Sequence, residues 1–132
     1  FKIGMNGKMI AYISDNEFLQ GYLGSPKDVT NKLLVPYKRI MDFIAGVDLL
    51  ITESQYLNDE YAKKIGWGHT ALSNGCVLCK LTGVKRWIVT HHDPAHDDEF
   101  LERKLLLTKQ ILTDIEYPVE VCHAFDGFME YV

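Results

Sequence analysis

Residues 91 to 98 read His91-His92-Asp93-Pro94-Ala95-His96-Asp97-Asp98, directly after the apolar run Trp87-Ile88-Val89-Thr90. Imidazoles and carboxylates are the side chains that hold hydrolytic Zn, Mn or Fe ions. These fall where a buried strand ends and a loop begins, and in open α/β sheets ligand sites gather at the carboxyl ends of strands. The pattern points to metal chemistry. One form of it is a self-contained site made by His91, His92, His96 and Asp97, which requires stoichiometric metal binding that is abolished in a His91→Ala, His96→Ala double variant. Each residue also has a plainer reading. Adjacent residues rarely face one ion, which makes His92 an outer partner or a structural residue. Asp93 before Pro94 is a turn former. His96, Asp97 and Asp98 read as solvated loop and helix-cap residues.

The elements that position this loop follow from periodicity and punctuation. Phe1 to Gly4 and Lys8 to Ser14 flank Met5-Asn6-Gly7, and Asn-Gly between apolar runs signals a hairpin. Residues 18 to 30 carry Gly21, Gly24, Ser25 and Pro26 and read as an irregular connection. A helix is expected over Val29 to Ala45, starting near Pro36 and stopping at Gly46. Val47 to Thr52 reads as a buried strand, ending at Glu53-Ser54-Gln55-Tyr56. A short polar helix over Asn58 to Lys64 leads to Gly66-Trp67-Gly68-His69-Thr70. A helix over Ala71 to Leu81 closes at Gly83, and Lys85 to Thr90 is the next strand. Asp97 or Asp98 caps a long helix from about Glu99 to Thr113. Strands over Val119 to Cys122 and Phe128 to Val132 complete the chain. Strands alternating with helices indicate a layered α/β fold.

At 132 residues the chain is one domain or part of one. A hydrophobic fraction of 47% and a charged fraction of 24% are those of an ordinary soluble globular chain. The net charge of -4 provides no basic face for nucleic acid, but leaves room for a nucleotide or phosphodiester held by a metal. No apolar run approaches the roughly 18 residues of a membrane span, and no basic-apolar leader is visible. Cys76 and Cys79 have the C-x-x-C spacing but lie in Ala71 to Leu81, a packed helical segment, and read as small buried hydrophobes. A reducing, cytoplasmic compartment fits this cysteine usage.

Four segments in order resemble the metallo-β-lactamase-fold hydrolases. They are Tyr12-Ile13-Ser14-Asp15, Asp48-Leu49-Leu50-Ile51-Thr52-Glu53-Ser54-Gln55-Tyr56, Gly66-Trp67-Gly68-His69-Thr70 and Ile88-Val89-Thr90-His91-His92-Asp93-Pro94. Within that family the chain resembles the C-terminal half of the ribonuclease Z and cyclic-phosphodiesterase-like branch. The resemblance implies half of a four-layer αββα sandwich, with residues 1 to 132 forming a single partial domain, and a dinuclear site of two divalent ions (Zn, Mn or Fe) at one edge. It implies that Asp15 bridges the metals, that His91 is the last metal-binding histidine, and that His69 is the non-ligand histidine contacting the scissile phosphate or protonating the leaving group. Such roles suit the residue types. A carboxylate offsets repulsion between two ions, neutral imidazole binds through one nitrogen, and a free imidazole titrates near neutral pH. Gln55 and Tyr56 follow a strand end and could line the pocket or pack; His123 reads as structural.

One departure is large. The family's His-x-His-x-Asp-His cluster is absent, and the first histidine here is His69. The chain opens at Phe1 with strand-like sequence, so the expectation is a fragment whose N-terminal half carries the other ligands. It should hold few or no metals and be inactive alone. The expected substrate is a small phosphodiester or nucleotide, or an RNA end. A half-sandwich exposes an apolar sheet face, so a homodimer or attachment to the missing half is expected. The alternative is a non-catalytic binding domain that keeps the fold without a complete metal site.

Overall fold

The computed structural model describes residues 1–132. Strands β1 (Lys2–Met5) and β2 (Lys8–Ile13) form the expected hairpin. Its turn residues Asn6 and Gly7 have φ of 52° and 74°, the double positive φ of a type I′ turn that Asn-Gly supplies. The remaining strands are β3 (Leu49–Glu53), β4 (Arg86–Thr90) and β5 (Glu120–His123), each parallel to its predecessor. The sheet order β1-β2-β3-β4-β5 is the chain order.

That order has a consequence for the layers. Parallel crossovers are right-handed, so three successive steps in one direction put all three connections on the same face. Those connections hold α1 (Asn31–Leu34) and α2 (Lys38–Ile44), then α3 (Asn58–Tyr61) and α4 (Leu72–Thr82), then α5 (Asp98–Asp114). Alternation along the strands agrees. Ala11, Leu50, Trp87, Val89 and Val121 all point to the helix side and belong to one core with Ile44, Leu72, Cys76, Leu78, Cys79 and Leu112. Cys76 and Cys79 are buried thiols, as expected, and burial pushes both thiol pKa values up. Gly75 lets α4 approach the sheet closely, since a Cβ there would lie 3.0 Å from the Trp87 indole. The opposite face carries Ile3, Met5 and Tyr12, all exposed, and Ile10 and Ile51, half-buried.

Three expectations need correction. The helix expected to start near Pro36 begins there as α2, but a helical turn, α1, also precedes the proline, separated by a 3₁₀ turn at Val35–Tyr37 because Pro36 cannot donate to the helical ladder. The polar helix after Leu57 is a single turn, α3, whose Glu60 accepts the Leu57 backbone N–H at 2.8 Å. No strand forms over Phe128 to Val132. Gly127 at φ 83° turns the chain, and the Arg86 guanidinium binds the Glu130 carboxylate at 2.7 Å and the Tyr131 carbonyl at 3.1 Å, so the segment is tethered through a side chain and does not pair as a strand. No helix is long and apolar enough to cross a membrane.

Candidate metal centre

The carboxyl ends of β2, β3 and β4 lie side by side, and the segments leaving them build the site. Asp15 follows β2, Gln55 and Tyr56 follow β3, His91 follows β4, and His69 comes from the loop ahead of α4. One ligand atom from each of Asp15, His69 and His91 lies within 4.8 Å of the other two. His91 Nδ1 and Asp15 Oδ1 are 2.8 Å apart. The His69 ring stands perpendicular to that of His91, with centroids 5.0 Å apart. Two imidazoles and a carboxylate are a donor set for Zn, Mn or Fe. His69 Nδ1 is buried and has no hydrogen-bond partner, so the cluster has room for an electrophile that would satisfy it. The residues therefore fit a metal.

Each of the three is held by a different device. His91 adopts φ 53°, a left-handed conformation costing a non-glycine residue about 1–2 kcal/mol. Gln55 holds it there, its Nε2 donating to the His91 carbonyl at 3.1 Å. Lys104 supports Gln55 in turn. The residue is 1% exposed, and its ammonium donates to the Gln55 carbonyl at 2.9 Å. Burial pulls the Lys104 pKa down to about 8, against the opposing pull of Glu60, Glu53 and Asp93.

His69 is held through Thr70 and Gly68. The Thr70 N–H donates to the Glu53 carboxylate at 2.9 Å, and the Thr70 hydroxyl donates to the Asn16 carbonyl. Glu53 also accepts the N–H groups of Gln55 at 3.0 Å and Asn16 at 3.3 Å. It thereby ties the Asp15, Gln55 and His69 loops to one carboxylate. Desolvation raises its pKa to about 7, although its backbone donors pull the other way. Glu17 fixes the preceding turn by accepting the Gly66 and Gly68 N–H groups at 2.7 and 3.0 Å and the Tyr61 hydroxyl at 2.7 Å. Gly66 and Gly68 have φ of 85° and 89°, which glycine alone adopts freely.

Not every residue singled out in the sequence joins the cluster. Gln55 and Tyr56 are buried; the Tyr56 ring meets His69 edge-on at 6.0 Å, and Lys64 sits 4.3 Å above it. Asp93 is the expected turn former, accepting the Ala95 N–H at 2.9 Å, and it also pairs with Lys64 at 2.7 Å. The Lys64 ammonium holds the Asp93 carboxyl below the usual range. His92 turns away from His91 and stacks on His123 at 5.2 Å. His96 is not solvated. Its side chain is 3% exposed, stacked on Phe100 and bonded to Glu60 Oε1 at 2.8 Å. Asp97 caps α5 by accepting the Phe100 N–H at 2.8 Å. His91, His92, His96 and Asp97 therefore do not converge, and the self-contained site fails.

Glu53, Glu17 and Lys104 escaped the sequence reading. Lys104 left a signal. Leu101, Lys104, Thr108 and Leu112 recur every three or four residues along α5, so the lysine lies on the buried stripe. Glu53 left none, because its donors Asn16 and Thr70 lie 37 and 17 residues away.

The chain has distant, partial similarity to ribonuclease Z, a metallo-β-lactamase-fold enzyme. Ribonuclease Z of Myxococcus xanthus is 30% identical over 93 residues, which are 70% of this chain and 28% of that protein. Ribonuclease Z of Brevibacillus brevis is 27% identical over 93 residues, 66% of this chain and 29% of that protein. The chain spans less than a third of the length of these curated relatives. No protein-family model matches it, and no solved structure matches it.

Proposed function

We propose that these residues form the C-terminal βα half of a metal-dependent phosphodiesterase whose substrate is an RNA end or a related nucleotide. The observation that carries this reading is the convergence of Asp15, His69 and His91 from three separate loops, in a chain similar to part of ribonuclease Z. Asp15 and His91 hold divalent metal, with zinc the first candidate and Mn or Fe accepted by the same donors. Two bound divalent ions supply Lewis acidity and activate water for attack at neutral pH. His69 contacts the scissile phosphate and donates a proton to the departing alkoxide oxygen. Glu53 and Glu17 keep the His69 backbone in place, and Gln55 with Lys104 keeps His91 turned toward Asp15.

Asp15 and His91 alone do not complete two ions, so the remaining ligands come from outside residues 1–132. The sheet face with Ile3, Met5, Tyr12 and Ile51 is then where the second half of the sandwich, or a second copy of this chain, packs. The test compares the isolated 132-residue chain with the natural full-length product. The full-length protein should carry about two metals and hydrolyse bis(p-nitrophenyl) phosphate, whereas the isolated chain should be inactive, hold at most one ion, and sediment as a dimer. Turnover by the pure, metal-loaded isolated chain would falsify the half-site reading. A metal-free, inactive full-length protein would favour a binding module instead.

A further inference from the structure

We propose that the turn formed by α3 and Lys64 is the positioning element of the metal centre: Glu60 and Lys64 hold the loop that carries His91, and Tyr61 holds the segment that carries Asp15. None of the three is a member of the cluster. This rests on the metal-centre reading and adds to it what sets the separation of the two ligands.

Donors to a metal must stay within about 0.5 Å of their working positions. The bonds inside the His91 loop are too local to fix it against the rest of the protein. The loop leaves β4 through His91 at φ 53°, and the N–H groups of Ala95 and His96 both return to Asp93, at 2.9 Å each. Two of its side chains reach outward, and both go to the same turn. Asp93 accepts from the Lys64 ammonium at 2.7 Å, and His96 bonds to Glu60 at 2.8 Å. The Asp93 and His96 side chains are 12% and 3% exposed, so solvent screens these pairs less than it screens surface pairs. The second Glu60 oxygen accepts the Leu57 N–H at 2.8 Å, which ties the start of α3 to the loop through one carboxylate.

The same turn reaches the Asp15 side. Tyr61 is fully buried, and its hydroxyl donates to Glu17 at 2.7 Å and accepts the Gly21 N–H at 2.8 Å. Glu17 follows Asp15 by two residues. The Lys64 N–H bonds the Tyr61 carbonyl at 2.8 Å, which keeps Lys64 on the turn. A helix of four residues has no stability of its own, so α3 keeps its shape through these bonds and the Ser73 hydroxyl, which donates to Asn58 at 2.7 Å. Glu60, Tyr61 and Lys64 therefore bridge the two ligand segments, which no backbone ladder joins beyond the strand ends.

Zinc titration of the full-length protein tests this, run well below each variant's melting transition so that the affinities are those of folded protein. Lys64→Met should weaken zinc binding about tenfold, the lower end of the effect of groups that support metal ligands. The sign is diagnostic. Removing a cation beside the centre favours zinc electrostatically, so a loss of affinity reports displaced ligands. Lys64→Arg, which keeps a donor for Asp93, should bind zinc nearly as the wild type does. Tyr61→Phe should weaken binding through the Asp15 side, and Lys38→Met, which breaks the exposed pair with Asp42, should leave it unchanged. If Lys64→Met binds zinc as tightly as the wild type or more tightly, or if Lys64→Arg loses as much as Lys64→Met, the positioning role falls and the metal centre stands. If the wild-type full-length protein holds no zinc, the metal-centre reading falls and the positioning role with it.

Discussion

Two adjacent histidines leave the same strand end, join different groups and behave in opposite ways. His91 is 46% exposed at the side chain and faces Asp15 and His69; His92, the next residue, is turned inward onto His123. The left-handed backbone of His91 makes the division, sending neighbouring rings into different environments. In the outer group the nitrogens converge at a surface where an ion can enter. In the inner group they are desolvated beside Lys104, and burial pushes the pKa of His92 down to about 4 and that of His123 to about 3. The Thr108 hydroxyl donates to the Lys104 carbonyl at 2.7 Å and is left to accept from His123 Nε2 at 3.2 Å. The inner imidazoles are therefore neutral packing groups. A histidine's role here follows from whether its nitrogens meet other donors at an opening, and richness in histidine alone does not decide it.

The largest expected effect separates the groups by metal binding. Asp15→Ala combined with His91→Ala should lower metal affinity on the order of a hundredfold or more, the scale on which even supporting partners of a metal ligand act. The side chains are 46% and 62% exposed, so the thermal midpoint should barely move. Metal content by mass spectrometry and a melting curve check this. His69→Ala refines the assignment: metal is retained and turnover is lost if His69 is the proton donor, and metal is lost if it is a ligand.

Next comes the buried support. Lys104→Ala leaves the Gln55 carbonyl unpaired and opens a cavity, which should cost about 2–4 kcal/mol in denaturant unfolding. Lys104→Met fills the same volume without the desolvated charge and should cost about 1 kcal/mol or less. Both should weaken metal binding, because Gln55 then holds His91 less firmly. An Ala variant as stable as the wild type would remove Lys104 from this account.

Acid should attack the inner group. His92 and His123 have folded pKa values depressed below the ordinary 6.5, so their contribution to stability is present above pH 6.5 and lost as pH falls toward 4 and 3. Glu53 runs the other way. Its folded pKa is raised to about 7, so its contribution is present below about 4.5 and lost as pH rises through 7. Two histidines outweigh one carboxylate, and stability should fall on acidification. His123→Gln should flatten that fall, and Glu53→Gln should steepen it, both read from denaturant midpoints between pH 7 and 4.

Much of the fold was legible because it rests on local signals. Asn6-Gly7 specifies the hairpin turn, and the apolar runs at residues 49 to 52 and 86 to 90 are strands. Asp97 caps α5, and Pro36 interrupts its helix. The positions of Asp15, His69 and His91 were legible through resemblance, although their meeting depends on three loops. His96 was misread because its partner, Glu60, is 36 residues away. Residues 128 to 132 have strand-like alternation, but the tether to Arg86 overrides it. The smallest expected effect tests the local reading: Asp97→Ala should cost about 1 kcal/mol, the scale of an N-cap, and leave metal content unchanged.

The most direct measurement is a zinc titration followed by the imidazole signals of the five histidines in ¹H–¹⁵N correlation spectra. The His91 resonances should shift or broaden together with those of His69, while His92, His96 and His123 stay in place. Zinc-dependent shifts of His92 and His96 along with His91 would contradict the division between an outer metal-binding group and an inner structural one.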